Sequence, residues 1–457
     1  LAVISGKIQL RPVHKQSNEN HFQLQLYHNH QKKDDTNTSP PISELIMSYE
    51  GLEEVPENIR LDVFANLVGA PDFTSFLNAL NITDGRFLIS WLGMSSDRYD
   101  LEFEQTLQAN PLFRLAWGAG FRRDEAKSTQ IFHQTDPVSR NQGRLFANGE
   151  WRAKPNLVFN LGGMLEDYEN HASIFSYRAA ANLHLDRRHT FRINKSRAYR
   201  MPTLYEESIN FVLFFEEPFN DINTWSKTQG DLDPQRLDSL ELGYMGNYST
   251  YGLTLDVKLF EERYRDVIII YRDFDYPDPD RGLADTTVLD NFNAILNEGA
   301  QNHSNNGMVD IYGLEVNAKF LPTHRDLLFL GYSYLHTKGV EIQRHENGVY
   351  HMDEDVFVRA PSHTFSLLFS HRFFTNIDAS VAYYFTDAMT WYNEGDPVPE
   401  YRRLDLRLAK PFKLQNSNAE LALLIQNANG ENLDFYNGDP YRNILGKRAY
   451  LQFKTTF

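Results

Sequence analysis

Residues 113–122 read Phe113-Arg-Leu-Ala-Trp-Gly-Ala-Gly-Phe-Arg122. In an extended chain Phe113, Leu115, Trp117, Ala119 and Phe121 fall on one side, with Arg114, Gly118, Gly120 and Arg122 on the other. Such period-two alternation marks a strand with one apolar and one polar face. The pattern spreads outward from this stretch. Tyr99, Leu101, Phe103 and Leu107 alternate with Asp100, Glu102, Glu104 and Thr106. Tyr312, Leu314, Val316, Ala318 and Phe320 oppose Gly313, Glu315, Asn317 and Lys319, and Leu404, Leu406 and Leu408 oppose Arg403, Asp405 and Arg407. Stretches 22–26, 239–244, 253–259, 364–370 and 420–426 behave alike. A soluble sandwich also alternates, but here the polar face is often fully charged and the segments are long. Residues 251–270 could form one strand of about 20 residues, against the usual 5–6. The expected fold is all-β: an antiparallel transmembrane β-barrel, apolar outside and wet inside.

The connections support it. Short polar turns fall at 108–110, 153–156, 185–189, 247–250, 321–326 and 411–418, and long Asp/Asn/Pro-rich loops at about 31–84, 124–142, 200–236, 271–310, 338–362, 387–400 and 428–447. Outer-membrane barrels have short periplasmic turns and longer external loops. The connection at 168–172 is short where a long one is due. Within the loop at 31–84, Ser43–Met47 and Phe73–Leu80 are candidate short helices, with a strand pair as the alternative. Counting back from a last strand ending at Phe457 gives about seventeen strands, the first near 4–11 and running downward. An intact barrel starts upward, so an odd number of strands is expected before Leu1.

Composition sets outer limits. The 457 residues carry a net charge of −16, 13% aromatic residues, no cysteine and a mean hydropathy of −0.50. The acidic balance argues against nucleic acid as a partner, and disulfides and thiolate metal sites are excluded. No apolar run approaches the ~18 residues of a transmembrane helix, but barrel strands need none. No nucleophile elbow, phosphate loop or zinc signature is present, so no enzyme activity and no cofactor are expected.

Several segments resemble TonB-dependent receptors, in that family's order. Arg197-Ala-Tyr-Arg-Met-Pro-Thr-Leu-Tyr-Glu206 is followed by Asp231-Leu-Asp-Pro-Gln235, with Gln235 where the family prefers Glu, and by Ser239-Leu-Glu-Leu-Gly-Tyr244. Phe260 through Asp266 is similar to the next strand top, and Ile311-Tyr-Gly-Leu-Glu315, Gly331-Tyr-Ser-Tyr-Leu335 and Arg359-Ala-Pro-Ser-His363 come after it. The resemblance implies a 22-strand barrel and an N-terminal plug domain. Of these, residues 1–457 would supply about seventeen strands of one partial barrel, without the plug or the TonB-contacting segment. It also implies active uptake of a scarce nutrient complex, with outer-membrane lipid, the barrel-assembly machinery and, through the plug, the TonB energy-transducing system as partners. A passive porin-type diffusion channel is the alternative.

Residues that could touch ligand lie in the long loops: Tyr205, Phe211, Phe214, Phe215 and Trp225, then Trp391 and Tyr392. The loop from Thr203 to Gly230 has no histidine, and Lys227 is its one base against Glu206, Glu207, Glu216, Glu217 and Asp221. Imidazole is a usual ligand of haem iron, so a siderophore-type complex is expected in preference to haem. His28 and His30 share one strand face and are weak metal candidates, beside His21; a polar strand top explains them as well. Asp273, Asp275, Asp278 and Asp280 lack the glycine turn and closing glutamate of a calcium loop and read as solvated acid. Aromatics at strand ends, among them Phe373, Phe374, Tyr332, Tyr334 and Tyr383 to Phe385, suit an interfacial girdle.

The last strand places Ala449, Leu451, Phe453, Thr455 and Phe457 on one face and ends on an aromatic, the form of a barrel-insertion signal. Deleting Phe457 from the full-length protein should lower its outer-membrane yield while leaving synthesis intact. Fractionated immunoblots read both quantities, and unchanged surface levels would remove the insertion-signal reading.

Overall fold

The computed structural model describes residues 2–10, 13–15, 20–34, 37–47, 55–79, 86–89, 93–213, 223–228, 230–273, 300–344, 350–353, 360–390, 397–414, 417–435 and 443–456. Most of them lie in one 21-stranded sheet. Seventeen long strands form its wall: β1 (Ala2–Leu10), β2 (His21–Asp34), β3 (Met94–Asn110), β4 (Phe113–Lys127), β5 (Val138–Lys154), β6 (Leu157–Tyr168), β7 (Ile174–His184), β8 (His189–Arg200), β9 (Gln235–Tyr248), β10 (Leu253–Asp273), β11 (Ala300–Phe320), β12 (Asp326–Arg344), β13 (His363–Arg372), β14 (Asp378–Thr386), β15 (Tyr401–Leu414), β16 (Ser417–Gln426) and β17 (Arg448–Thr456). The other four members are short: Val13–Lys15, which continues β1 along β2, and Asn210–Leu213, Asn223–Lys227 and Tyr350–Asp353. Each wall strand pairs antiparallel with the next in sequence. The expected long strand over 251–270 is β10, 21 residues from Leu253 to Asp273.

Register puts like residues in rows. Ile193 lies across from Leu242, Leu242 from Leu259 and Leu259 from Leu314. Ile193, Leu242 and Leu259 are about half exposed, all on the outer face. Below this apolar band, at the end with short turns, aromatic side chains face out. Trp151 stacks on Phe159 with ring centroids 5.7 Å apart, Phe191 lies 5.1 Å from Tyr244, and the Tyr244 and Tyr248 hydroxyls are 2.6 Å apart. Above it, toward the long loops, the same face becomes ionic. Arg197 pairs with Asp238 at 2.6 Å, Arg123 with Glu125 at 2.6 Å, and Arg263 with Glu261. On β9 the apolar stretch from Tyr248 to Leu240 matches the about 9–11 residues a tilted strand needs to cross a bilayer. The upper parts of the longest strands rise above that band. Among the described residues, no helix is long and apolar enough to cross a membrane.

The inner face is polar and cross-linked. Arg144, Gly120 and Glu102 occupy one row. A Cβ on Gly120 would lie 2.6 Å from Arg144 Nε, so glycine leaves the guanidinium room to cross the strand. Arg144 thereby reaches Asp100 at 2.8 Å and Glu102 at 2.6 Å. Gly243 does the same for Arg192, which passes over it to Asp256 at 3.0 Å. At the turn end, Gly252 adopts φ +68° and a Cβ there would meet Leu321 O. That close approach lets Leu321 N donate to Gly252 O at 2.8 Å.

The structure differs from the sequence reading in two places. The connection over 35–93 holds both alternatives: helices α1 (Ile42–Met47) and α3 (Phe73–Ala79), and a strand pair between Asn37–Pro41 and Arg86–Ile89. It also holds an unforeseen α2 (Glu57–Leu67), whose Phe64 packs edge-on against Phe76 of α3, both fully buried. Within the proposed girdle, Tyr384 shares a row with Arg403, whose guanidinium covers its ring at 5.7 Å, and faces in; Tyr383 faces out. Phe457 and 274–280 of the acidic loop lie outside the described residues.

Replacing the outward Leu242 by Arg should destabilise the wall by about 2–4 kcal/mol, the cost of a lipid-facing arginine near mid-height. Chemical denaturation of the full-length protein in lipid measures this. A cost under about 1 kcal/mol would show that this row lies near an interface instead.

Candidate functional site

The site is built where β8 leaves the wall. Met201 and Pro202 follow the strand, and Thr203 opens a short helix, α4 (Leu204–Ser208). Its cap is reciprocal: Glu206 N donates to Thr203 Oγ1 at 3.1 Å and Thr203 N donates to Glu206 at 2.6 Å. This is the Thr-x-x-Glu capping box, satisfying two backbone donors at once. The chain then forms a hairpin from Asn210–Leu213 and Asn223–Lys227. Ile209 and Phe211 bury against Ala126 at the end of β4 and Ile131 and Phe132 just beyond it.

Charges hold this segment over the inner side of the wall. Arg140, inward-facing on β5, donates to Pro202 O at 2.7 Å and pairs with Glu207 at 2.9 Å. His171, from the connection between β6 and β7, approaches the other Glu207 oxygen at 2.7 Å. Burial lifts the Glu207 carboxyl above its ordinary range, against the pull of Arg140 and His171. Glu206 goes the other way. Burial opposes its charge, but the Arg200 guanidinium, at 2.9 and 3.1 Å, and the Thr203 backbone N–H hold its carboxyl below the ordinary range. A polar cleft of about 470 Å³ lies between these elements, lined by Arg140, His171, Glu207, Asp231 and Asp233 among others.

Tyr205 is exposed on α4 and its ring meets His303 of β11 edge-on at 6.0 Å. His303 is 7% exposed in the part of β11 that rises above the apolar band. Burial lowers its pKa, favouring the neutral ring. Phe211 is 6% exposed, so the structure gives this candidate ligand contact a packing role. Trp225 lies on the hairpin's second strand. Phe214, Phe215, Trp391 and Tyr392 lie outside the described residues.

The loop without a histidine of its own thus receives His171 from the connection between β6 and β7 and His303 from β11, which a count along the loop does not reveal. The Arg140–Glu207–His171 triad was missed for the same reason, although Thr203-Leu-Tyr-Glu206 carries a capping-box signal readable in the sequence. His28 and His30 face outward and both contact Asp97 Oδ1, at 2.9 and 3.0 Å, with His28 stacked on Tyr99. Among the described residues no group of three or more His, Asp or Glu is placed to hold a metal ion.

Comparisons with known proteins agree with this architecture. The model of the TonB dependent receptor-like β-barrel matches residues 11–433. A search of curated proteins finds no match. Among solved structures, a mutant of the ferric enterobactin receptor of Pseudomonas aeruginosa superposes with a TM-score of 0.66 at 12% identity, over 99% of this chain and 61% of that one. The ferric-catecholate import receptor Fiu of E. coli K12 gives 0.60 at 12%, over 99% and 63%. The siderophore receptor PiuA of Acinetobacter baumannii gives 0.62 at 12%, over 98% and 63%. The chain therefore spans less than two thirds of the length of these neighbours, and likeness at such identity shows the fold alone. The family model covers most of the sequence, and the chain belongs to the TonB-dependent receptor β-barrel family.

Proposed function

We propose that the chain is the barrel of a Gram-negative outer-membrane receptor that takes up a ferric siderophore by TonB-coupled active transport. The observation that carries this reading is the capped helix α4 after β8, clamped inward by the Arg140–Glu207–His171 triad beside a polar cleft. A receptor must hold its contacts in place before ligand arrives, and an anchored segment beside a cleft does so. Family membership and the fold it shares with siderophore receptors support it. Short turns would face the periplasm and long loops the outside. A plug domain and further strands, to about 22, would complete the protein, because a barrel that wide left empty would leak. TonB would act through that plug. The chain itself would do no chemistry and need no cofactor.

The acidic loop with a single lysine favours a neutral or cationic chelate stacked on aromatic rings over a strongly anionic complex. His303 complicates the preference for siderophore over haem, since it is a neutral imidazole brought beneath Tyr205. A passive porin is the second reading, and strand number alone does not separate the two.

A strain with the full-length receptor as its sole iron-uptake route should grow on at least one ferric siderophore of a panel, only while TonB is functional, and not on haem. TonB-independent growth would favour the porin. Growth on haem that disappears with His303→Ala would make haem the ligand. In the same strain, Arg140→Ala strands the Glu207 carboxylate, at a local cost of about 3 kcal/mol. Helix α4 should then come away from the wall. Proteinase K on intact cells should cut it faster and ligand affinity should fall, with the barrel's heat-modifiable migration unchanged. Unaltered cleavage and affinity would show that the triad anchors nothing.

A further inference from the structure

The outer face over β13 to β16 carries a shallow apolar groove of about 410 Å³. Register explains the dent. The row Phe369–Val381–Leu406 lies beside the row His371–Ala379–Leu408, and Ala379 is the smallest side chain in either. At the turn end the groove meets two cations for which no carboxylate partner is found among the described residues. Lys410 is exposed and shares the outward face of β15 with Leu406 and Leu408. One step beyond the Asp378–Ala409 pair, it stands beside the turn that Phe373 N closes on Ile377 O at 2.9 Å. Arg325, on the adjacent turn, lays its guanidinium 3.7 Å from the centroid of the Phe374 ring, which is 90% exposed. The nearby carboxylates are already engaged, Asp326 by His371 at 2.7 Å and Asp378 by Arg372 at 2.6 Å.

A lipid-facing lysine is tolerated near an interface, where its stem lies on apolar surface and its ammonium reaches the headgroups. Two such cations flank one aromatic turn below a groove that opens onto acyl chains. We infer that this is a binding site for an anionic phospholipid of the leaflet on the turn side. One acyl chain lies along Ala379, and the phosphate sits between Lys410 and Arg325. The site rests on the wall being lipid-facing and is independent of the transported ligand, so its failure would leave the transport reading untouched.

The full-length receptor, delipidated in detergent, can be titrated with phosphatidylglycerol or with phosphatidylcholine of the same chains and read by native mass spectrometry. One phosphatidylglycerol adduct should form at a concentration roughly tenfold or more below that for phosphatidylcholine, from two basic residues near an anionic headgroup. Lys410→Gln with Arg325→Gln should abolish that preference. Ala379→Trp should remove retention of both lipids by filling the groove, with Ala379→Leu as the milder version should the tryptophan variant lose heat-modifiable migration. Equal affinity for the two lipids in the parent protein, or undiminished retention in the folded Ala379 variant, would overturn the site.

Discussion

Backbone hydrogen bonding between neighbouring strands is the constraint from which the rest of this wall follows. Hydrocarbon offers no partner to an N–H or C=O, so a chain crossing it must satisfy every such group against the next strand. Once strand lies on strand in register, side-chain direction is no longer free: each residue faces lipid or lumen. The Ile193–Leu242–Leu259–Leu314 row and, one residue on, the Arg192–Gly243–Lys258–Glu315 row are two consequences of the same ladder. A slip of one residue between β9 and β10 would bring Lys258 to the outside. Register and solvent preference therefore enforce each other.

The inner face obeys a second rule, set by size. Cross-strand neighbours are close enough that two bulky charged side chains in one row compete for space, while a salt bridge often needs to reach one strand further. Glycine resolves this at Gly120 and Gly243, where an arginine lies across the vacant position to a carboxylate beyond. Arg144 is 8% exposed and Asp100 7%, so these are buried ions whose desolvation is offset by several hydrogen bonds at once. Such links join three strands, and they stiffen the wall in a direction that backbone pairing alone leaves compliant.

The wall was legible in the sequence because its signal is local: period-two alternation, repeated, with turn residues between. The stretch at 113–122 predicts β4 from its first residue but stops five short of its last, Lys127, and 251–270 predicts β10. Helix α2 was missed because it starts at Pro56 without a side-chain cap and pairs its buried Phe64 and Ala65 with residues elsewhere in its own loop. The site was legible only in part. Tyr205, read from its place in the arginine-proline stretch, is exposed, but Phe211 belongs to a small core with Ile209 and with Ala126, Ile131 and Phe132. Arg140, His171 and His303 come from three different connections or strand tops, and nothing local in any of them announces the others.

That division has a physical basis that bears on how a receptor of this kind changes its specificity. The wall is fixed by repeating neighbour-to-neighbour contacts, so a substitution there is felt along a whole row. The stretch over 201–213 is fixed by a few long-range contacts: one inward arginine, one buried glutamate, one histidine and a five-residue apolar cluster. The backbone here and just beyond is held by the capping box at Thr203, the two-stranded pairing that follows, the pairing of Ser226 with Gln301 of β11 and the bonds between Asp233 and Asn305. Residues between those anchors can vary without disturbing the sheet, provided that Glu207 keeps a cation beside it. Exposed residues beside the anchors can therefore diverge while Arg140, Pro202 and Glu207 hold the helix in place. A ligand preference read from loop composition alone then leaves out the side chains that neighbouring strands push into the same space, as His303 does beneath Tyr205.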